Sequence, residues 1–567
     1  MLGSKFSEYL FRLSLGVVLM YPSVSWSQGT VLDPSRVGRE IQGVDPTTPR
    51  RDVAVPKTRP GFTIDPAIAG RSITVRKVVL EGVTGFQAAD LQDLFSGVVN
   101  KTVTLGDLGQ AIDSISRKYE EAGYVFYNVL LPNQDFADGT VRIVVVEGYI
   151  STIEFAGPQA SAGVTGRIGG ILGNLRDKRP VRRSALERYL LIANEIPGVK
   201  IDADVQPDGS GKLGALKLIV QPKITYLQGI GQIDNYQNVP GNGLNFRLGA
   251  IANSVLGWGE STEARWLFAT PWKTLHLFDF RHSEPITDEG DRFDAIVQYV
   301  QQRPKTVFNG TRIDFRGESF YARIQYRYPV IRAVAENMTA FAALDYVNVN
   351  YKIEGFHLPG DSLRVARVGV VYATKDSLDG ILNATAQASI GLDVFDARAK
   401  GRLKANAGFQ KFTLNVERTQ PLFGNPDFNL VTKATGQVAT GTVPNAEVFG
   451  FGGRDYGRPF TTLETVGDHG FAVSGEIRWR APIDFIPREW LDHYFYAFAD
   501  YGRLWVSSRV NKPFFNQGAS AGGGIRIKIF DRFSGEIEAA KPLAGRVSNQ
   551  GGSQRNWEVF VRLGASF

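Results

Sequence analysis

Apolar and polar residues alternate strictly along the C-terminal part of the chain. The pattern is clearest at Ile525–Ile529, where odd positions are apolar and even positions are basic, and it recurs at Phe471–Arg480, Phe533–Ala539 and Trp557–Phe567. A period of two predicts β-strands that have one apolar face and one polar face.

This pattern favours a membrane barrel over a soluble β-sandwich, which would also alternate. Strands of this kind extend from residue 224 to residue 567 without a second helical layer, and the apolar face includes Gly535 and Ala539, which would fill a packed core poorly. Charges stay on one face, as a lipid-facing wall requires, because a charge facing lipid costs about 2–4 kcal/mol at mid-bilayer. We therefore predict a mainly β protein in which residues 224–567 form a transmembrane antiparallel barrel.

The N-terminus has the features of a secretory signal peptide. Lys5 and Arg12 precede an apolar run, Leu13–Tyr21, and the small residues of Ser25-Trp26-Ser27 predict cleavage before Gln28, so that residues 1–27 are removed. An N-terminal membrane anchor is the alternative, but the run is short for a bilayer span, which needs about 20 residues. The sequence after it contains no apolar stretch of that length, so a closed barrel is the expected way to enter a membrane.

Between the signal peptide and the barrel we expect a linker and two similar α/β units. Residues 28–72 are rich in proline and predict a linker, with Asp33 and Pro34 as the start of a short helix over 33–42. The units are predicted at 73–149 and 150–223, each with the plan β-α-β-β. The predicted elements are strands Ile73–Leu80, Val125–Leu131, Val141–Glu147, Ile153–Gly157, Val199–Val205 and Ala215–Val220, and helices Gln87–Val98, one capped by Thr104 and Asp107, and one capped by Ser184 and Glu187.

Composition removes several classes of chemistry. The chain has no cysteine, and its five histidines stand at no metal-ligand spacing, so we expect neither a metal nor a cofactor. Gly518-Ala519-Ser520-Ala521-Gly522 fits the nucleophile-elbow pattern but precedes a predicted strand instead of the required helix. We therefore predict no enzymatic activity. A net charge of +7 is compatible with anionic lipid or an acidic partner and gives no reason to expect nucleic acid.

The two α/β units contain a set of characteristic strings, namely Tyr119, Gly123-Tyr124, Leu131-Pro132-x-Gln134, Asp138-Gly139, Glu147-Gly148, Leu186-Glu187-Arg188, Leu190-Leu191 and Pro197-Gly198-Val199. Together with the predicted signal peptide and barrel, these strings resemble the outer-membrane transporters of two-partner secretion, the ShlB/FhaC/HecB-type proteins of the BamA-related superfamily. The resemblance implies two POTRA domains, a barrel of sixteen strands, and a helix at 33–42 that plugs the pore. It places the protein in the outer membrane with periplasmic N-terminal domains.

The most specific string is Phe449–Phe460, which resembles the family's loop that folds back into the barrel. The resemblance implies an infolded loop near 449–465 whose tip motif is Gly452, Gly453, Gly457, Arg458, Pro459 and Phe460. Many members have glycine after the arginine where this chain has Pro459, and the Asp-Tyr-Gly-Arg version resembles the haem-acquisition branch. The family's partner string on the wall matches Phe498, Asp500 and Gly502, so we predict that Arg458 pairs with Asp500, with Glu476 as a second candidate.

The resemblance implies a pore that exports a secreted exoprotein: a large adhesin, a haemolysin or a haem-acquisition protein. Arg182, Arg183 and Arg188 predict a basic docking surface for this client, with a solvated helix face as the alternative. Phe567 is expected to be the C-terminal signal that the barrel-assembly machinery reads. Outer-membrane lipid is the other expected partner, and the protein is expected to be a monomer.

Two alternative functions are open. One is an outer-membrane insertase, a class that usually has more POTRA domains. The other is a passive porin or uptake channel, which needs no POTRA domain.

Overall fold

The computed structural model describes residues 33–35, 68–157, 160–236, 238–239, 241–308, 311–483, 486–507, 514–545 and 556–567. The predicted signal peptide, most of the predicted linker and residues 36–42 of the predicted helix lie outside these ranges.

The first α/β unit packs two helices against a small sheet. Its strands are β1 (Ser72–Val75), β2 (Lys77–Glu81), β3 (Lys101–Thr104), β4 (Tyr127–Leu130) and β5 (Thr140–Glu147), and its helices are α1 (Ala88–Gln92) and α2 (Leu105–Glu121). The sheet has the order β2-β5-β4, with β2 parallel to β5, and β1 pairs with β3 in a separate two-stranded sheet. Thr104 and Asp107 form the predicted capping box of α2.

Two predictions in this unit need correction. The strand expected at Ile73–Leu80 is divided at Arg76, whose N–H donates to the carbonyl of Gly139. The helix expected at Gln87–Val98 stops at Gln92, passes into a 3₁₀ turn and ends where Asn100 takes a φ of 59°. The chain leaves the helix early because Lys101–Thr104 is needed as the partner strand of β1.

The second α/β unit repeats the plan with an additional helix. It contains β6 (Tyr149–Phe155), β7 (Val199–Pro207), β8 (Ala215–Ile224), α3 (Ala162–Gly173) and α4 (Arg183–Asn194), and its sheet has the order β6-β8-β7. Helix α3 was not predicted, although Ser161 accepts a hydrogen bond from the Val164 N–H as its N-cap. The predicted cap of α4 is wrong: the helix begins before Ser184, and the Glu187 carboxylate instead accepts the N–H of Val334 in a barrel turn.

The two units share a junction built around the buried Glu147. Its carboxylate accepts hydrogen bonds from the N–H groups of Thr84 and Gly85 and from the hydroxyls of Thr84 and Tyr119. Burial opposes ionisation, but these donors outweigh it and hold the pKa of Glu147 below its ordinary value of 4.5. The neighbouring Phe126 packs into the core of the second unit, so the units are joined without a flexible linker.

We expect Glu147→Gln to remove an acid-sensitive part of the stability of the first unit. Because the pKa of Glu147 is lowered on folding, its contribution is complete above the ordinary glutamate pKa and is lost as the pH falls through the lowered value. Hydrogen-exchange protection of α2, measured in the full-length protein, should therefore differ between wild type and variant near neutral pH and converge in acid. A difference that is independent of pH would contradict this role of the carboxylate.

The rest of the chain forms strands, most of which close into a barrel. In chain order they are β9 (Leu227–Asp234), β10 (Asn245–Asn253), β11 (Ser261–Ala269), β12 (Leu275–Pro285), β13 (Arg292–Gln302), β14 (Thr306–Phe308), β15 (Thr311–Ile313), β16 (Phe315–Arg332), β17 (Glu336–Ile353), β18 (Phe356–Leu358), β19 (Asp361–Lys375), β20 (Ile381–Gly391), β21 (Arg398–Ala399), β22 (Gln410–Leu422), β23 (Asn425–Ala439), β24 (Phe449–Phe451), β25 (Thr465–Gly467), β26 (His469–Trp479), β27 (Leu491–Val506), β28 (Phe514–Ile529), β29 (Phe533–Ala544) and β30 (Glu558–Ser566).

The predicted antiparallel barrel is confirmed, with a wall of sixteen long strands among the described residues. The short β18 and β21 add to the wall, whereas β14–β15 and β24–β25 are separate hairpins. The first and last strands close the ring, from Asp234 opposite Arg562 to Ile230 opposite Ser566. Phe567 continues this pairing through two backbone hydrogen bonds with Gly229, and its side chain is exposed.

The alternation in the sequence separates the two faces of the wall. Ile537 and Val559 expose their side chains on the outside, while Glu536 and Glu538 of the same region are buried inside. Apolar side chains thus cover the outer surface and charged ones line the interior, as a lipid-facing wall requires. Among the described residues, no helix is long and apolar enough to cross a membrane.

Candidate functional site

A long loop, residues 440–468, folds into the barrel interior from the end opposite the α/β units. It leaves β23, forms the hairpin β24–β25 and returns to β26, and the pairs Phe449–Gly467 to Phe451–Thr465 hold the hairpin together. We call this segment the infolded loop. Its tip contacts Glu476, which is separated from the strand end at His469 by about 23 Å of strand at about 3.3 Å per residue.

The tip of the infolded loop is a tight turn over Gly457-Arg458-Pro459-Phe460. The Phe460 N–H donates to the carbonyl of Gly457 at 2.9 Å. The turn tolerates Pro459 because Phe460 supplies the donor, so the missing N–H of proline is not needed. Gly452, Gly453 and Gly457 all have positive φ, which glycine adopts without strain.

The guanidinium of Arg458 is held between two carboxylates of the inner wall. Nη2 lies 2.7 Å from Glu476 Oε2 and Nη1 lies 2.8 Å from Glu538 Oε2, and the guanidinium carbon lies 3.6 Å from the ring centre of Phe498. All three charged side chains are almost completely buried, with exposed fractions of 6%, 3% and 1% for Arg458, Glu476 and Glu538. We call this set of three the tip cluster.

The predicted pair of Arg458 with Asp500 is corrected by this geometry. Asp500 Oδ2 instead accepts the backbone N–H of Gly457 at 3.0 Å, the N–H of Arg458 at 3.4 Å and the hydroxyl of Ser520 at 2.9 Å. Asp500 therefore holds the backbone of the tip, and Glu476, the second candidate, binds the guanidinium together with Glu538. Glu538 was missed, although it stands on the polar face of an alternating strand, where a buried carboxylate needs a partner.

Gly502 of the predicted wall string has a steric role. Phe451 of the infolded loop is completely buried against backbone that carries no side chain: a Cβ on Gly502 would lie 2.3 Å from Phe451 Cδ2, and a Cβ on Gly518 would lie 2.4 Å from Cε1. Gly457 borders the Phe451 ring in the same way from the loop side. The wall therefore recognises the loop by shape as well as by charge.

We expect Gly502→Val to displace Phe451 and loosen the infolded loop, because overpacking a filled site costs about 1–3 kcal/mol. Gly475→Val is the matched control, since a Cβ there would meet nothing within 4 Å. Single-channel conductance in planar bilayers should rise for Gly502→Val and stay at the wild-type level for Gly475→Val. Equal conductance in the two variants would show that Gly502 does not provide the space that Phe451 occupies.

The base of the infolded loop has an ionic cluster of its own, which was not predicted. Glu447 Oε1 lies 2.7 Å from Arg367 Nη2, and Oε2 lies 2.8 Å from Lys411 Nζ. Behind it, Asp345 binds both Arg367 and Arg323. Glu447, Arg367 and Lys411, which we call the base cluster, have side chains that are at least nine-tenths buried.

Two further carboxylates fix the ends of the same loop. Asp468 accepts the N–H groups of Val443 and Ser507 and binds Arg402 of another loop. Asp361 accepts the N–H of Asn445. The infolded loop is therefore held at its tip, its base and its exit.

The three arginines predicted as a docking surface have different positions. Arg188 donates to the carbonyl of Pro329 in β16 and pairs with Glu289 in the turn between β12 and β13, so it joins α4 to the barrel and is not an open docking residue. Arg182 lies over the ring of Tyr124 at the junction of the two α/β units, and the side chain of Arg183 is exposed. A docking role for Arg182 and Arg183 stays a prediction.

The described residues contain no group of three or more histidines, aspartates and glutamates arranged to hold a metal. Ser520 of the nucleophile-elbow pattern lies in β28 and donates to Asp500, so its hydroxyl is part of the support for the loop tip.

Comparisons with known proteins agree with this architecture. Residues 73–148 match the family model of the ShlB-type POTRA domain, and residues 292–527 match that of the haemolysin secretion/activation protein ShlB/FhaC/HecB. The heme/hemopexin transporter protein HuxB of Haemophilus influenzae is 22% identical over 483 residues, 81% of each chain. The outer membrane transporter CdiB of Dickeya dadantii is 22% identical over 435 residues, 74% of each chain.

The solved structure of CdiB from Escherichia coli has the same fold. It superposes with a TM-score of 0.73 at 17% sequence identity and covers 94% of this chain and 95% of its own. The two family models and the relatives matched over most of their length identify the chain as a member of the ShlB/FhaC/HecB family, the outer-membrane transporters of two-partner secretion, and the closed barrel and the α/β units agree with this.

Proposed function

We propose that the second α/β unit is a second POTRA domain, and that this transporter captures an unfolded exoprotein on it and exports the exoprotein through the barrel. The observation that carries the proposal is an open sheet edge beside the barrel entrance. β7 is the last strand in the order β6-β8-β7, and no strand among the described residues pairs with its outer side. An extended polypeptide binds such an edge through its main chain, which gives affinity with little demand on sequence.

The hydrogen-bond pattern of β7 identifies the groups that face outward. The Ile201 N–H donates to the side chain of Asn194, and the residue paired with Ile201 on β8 is Pro222, which has no N–H. Ile201 is therefore in a non-hydrogen-bonded pair, and by the alternation of an antiparallel ladder so are Ala203 and Val205. The N–H and C=O groups of Ala203 and Val205 point away from β8 and supply the proposed binding edge.

We expect Val205→Pro to weaken client binding, because it removes one outward N–H and leaves the bonds between β7 and β8. The net loss of one hydrogen bond is about 0.5–1.5 kcal/mol, so affinity should fall by up to about tenfold. Val205→Ala shortens the same side chain and keeps the N–H, which makes it the matched control. Titration of the full-length protein with the client's N-terminal region tests the edge, and equal affinities for the two variants would refute it.

In the same proposal, the infolded loop and the N-terminal segment close the resting pore. Asp33 accepts the hydroxyl of Tyr351 at 2.8 Å, and Pro34 packs at Gly317, both on the inner face of the wall. Removal of this segment together with release of the tip cluster would open the passage. This proposal assigns the protein no catalytic step, and folding of the client outside the cell would supply direction.

The alternatives are an insertase and a passive channel. An insertase would alter the outer-membrane proteome, whereas the proposed transporter alters the culture supernatant, so both fractions are compared with and without the protein. Deletion of residues 73–223 separates a channel from a secretion pore. Loss of export with pore conductance retained supports secretion, and export that survives the deletion excludes recognition through the POTRA domains.

The first client class to test is a haem-acquisition exoprotein. HuxB, which matches over 81% of this chain, is named a heme/hemopexin transporter protein. CdiB relatives also match, so the proteins lost from the supernatant should be identified without prior selection before haem binding is assayed.

A further inference from the structure

The turn between β10 and β11 exposes three large apolar side chains. Val255, Leu256 and Trp258 have exposed fractions of 63%, 62% and 58%. The turn lies at the periplasmic end of the barrel, where the second POTRA domain is attached. Three such neighbours on one short turn are unusual for a surface that water covers.

The exposure of these side chains is built into a rigid turn. The buried carboxylate of Glu260 accepts the N–H of Leu256 at 2.7 Å and the N–H of Trp258 at 3.0 Å. The Ser254 N–H also donates to the carbonyl of Glu260. The backbone is therefore fixed by three hydrogen bonds while the apolar side chains point away from the protein.

This turn is continuous with the lipid-facing wall. Leu227, at the start of the neighbouring strand β9, is on the outer face and 69% exposed, and Asn253 at the start of the turn donates its N–H to the carbonyl of Tyr226. Other parts of the same end of the barrel also carry exposed aromatic side chains, namely Phe423, Trp490, Phe530 and Phe567. Aromatic residues at this level are typical of the boundary between lipid and water.

The same turn is packed against the second POTRA domain. A Cβ on Gly163, at the start of α3, would lie 2.2 Å from the carbonyl oxygen of Gly257, so the two backbones are in close contact. Arg167 of α3 lies within 3.4 Å of the carbonyl of Trp258 and pairs with Asp288 of the next periplasmic turn. Whatever fixes the turn therefore also fixes α3.

We propose that Val255, Leu256 and Trp258 insert into the periplasmic leaflet of the outer membrane and anchor the second POTRA domain at the membrane surface. The occupant of this apolar surface is phospholipid. A fixed turn that extends a lipid-facing wall fits a lipid boundary, where side chains of this kind enter by about 5–10 Å. The anchor gives the domain a defined orientation in addition to its contacts with the barrel.

The test uses a fluorescent label on a single cysteine, which is clean because the natural chain contains none. Leu256→Cys carries an environment-sensitive nitrobenzoxadiazole group in the full-length protein, reconstituted in phosphatidylethanolamine and phosphatidylglycerol vesicles. Leu213→Cys is the matched control, a leucine of the same domain that is 66% exposed beside Gly214, at the junction with the first POTRA domain. Each label is quenched separately by nitroxide-bearing lipid and by iodide on both sides of the membrane.

We expect the label at position 256 to be quenched several-fold more by nitroxide lipid than the label at position 213, and to be shielded from iodide. If iodide reaches both positions equally, the anchor is wrong. Shielding of position 256 from both quenchers would also overturn it, since a protein surface and not lipid would then cover the turn.

Discussion

An Arg458→Ala variant is expected to form a folded barrel in the outer membrane but to lose exoprotein export. The substitution leaves Glu538 without its cation and removes the guanidinium that joins the infolded loop to the wall. Breaking a buried ion pair by removing one partner costs about 3–5 kcal/mol, which is enough to release the tip. Export is measured as client protein in the supernatant, and a released tip should also raise single-channel conductance.

Two controls separate the latch from a general effect on the loop. Arg454→Ala removes another arginine of the same loop, one that lies over Tyr236 and outside the tip cluster, and should leave export close to wild type. Arg458→Lys should be intermediate, because one ammonium group cannot reproduce the forked contact with Glu476 and Glu538. Equal defects in Arg454→Ala and Arg458→Ala would show that the tip cluster has no special role.

The geometry also predicts which charge exchange fails. Arg458→Asp combined with Asp500→Arg is not expected to restore export, because Asp500 receives backbone N–H groups of the tip and not the guanidinium. Recovery of export by this exchange would contradict the observed partners.

The second large effect is expected at the base cluster. Glu447→Leu removes the carboxylate that binds Lys411 and one of the two carboxylates that bind Arg367, and both cations are buried. A cost of about 3–5 kcal/mol is again expected for breaking these buried ion pairs. The base cluster lies where the hairpin β24–β25 begins, so its loss should release the whole hairpin. In Arg458→Ala the contacts at the base and the exit persist, and only the tip is released. Pore conductance should therefore be higher in Glu447→Leu than in Arg458→Ala.

Glu417→Gln is the control for the base cluster. Glu417 pairs with Lys433 in a partly exposed site of the same part of the wall, where an ion pair contributes about 0–1 kcal/mol. The conductance and the export of the Glu417→Gln variant should stay at wild-type levels. A conductance of Glu447→Leu no greater than that of Glu417→Gln would refute the anchoring role of Glu447.

Much of the fold was predictable because a membrane wall constrains every second residue. Charges such as Arg526 and Glu536 could face only the interior, so the sequence pattern gave strand faces directly. Helix α3 was less visible, since Gly163, Gly166 and Gly169 weaken its helical signal and its stability comes from packing in the second unit. The early end of α1 depends on pairing between β1 and β3, which local sequence does not encode.

The functional site was predictable to the level of segments and not of contacts. The glycines and Arg458 marked the loop tip, and Asp500 and Gly502 marked the wall beside it. Which carboxylate meets the guanidinium depends on how far the loop penetrates, and the alternation of the wall strands alone cannot supply that depth. Glu447 was hidden for the same reason, because its partners Arg367 and Lys411 are distant in sequence.

The central claim is that an exoprotein crosses the membrane through the barrel interior, and site-specific photocrosslinking tests it most directly. A photoreactive residue at Thr435 faces the interior, while one at Val438 of the same strand faces lipid and is 60% exposed. With export in progress, the client should crosslink to position 435 and not to position 438. Crosslinks at position 438, or none at position 435 while the client still reaches the supernatant, would contradict passage through the barrel.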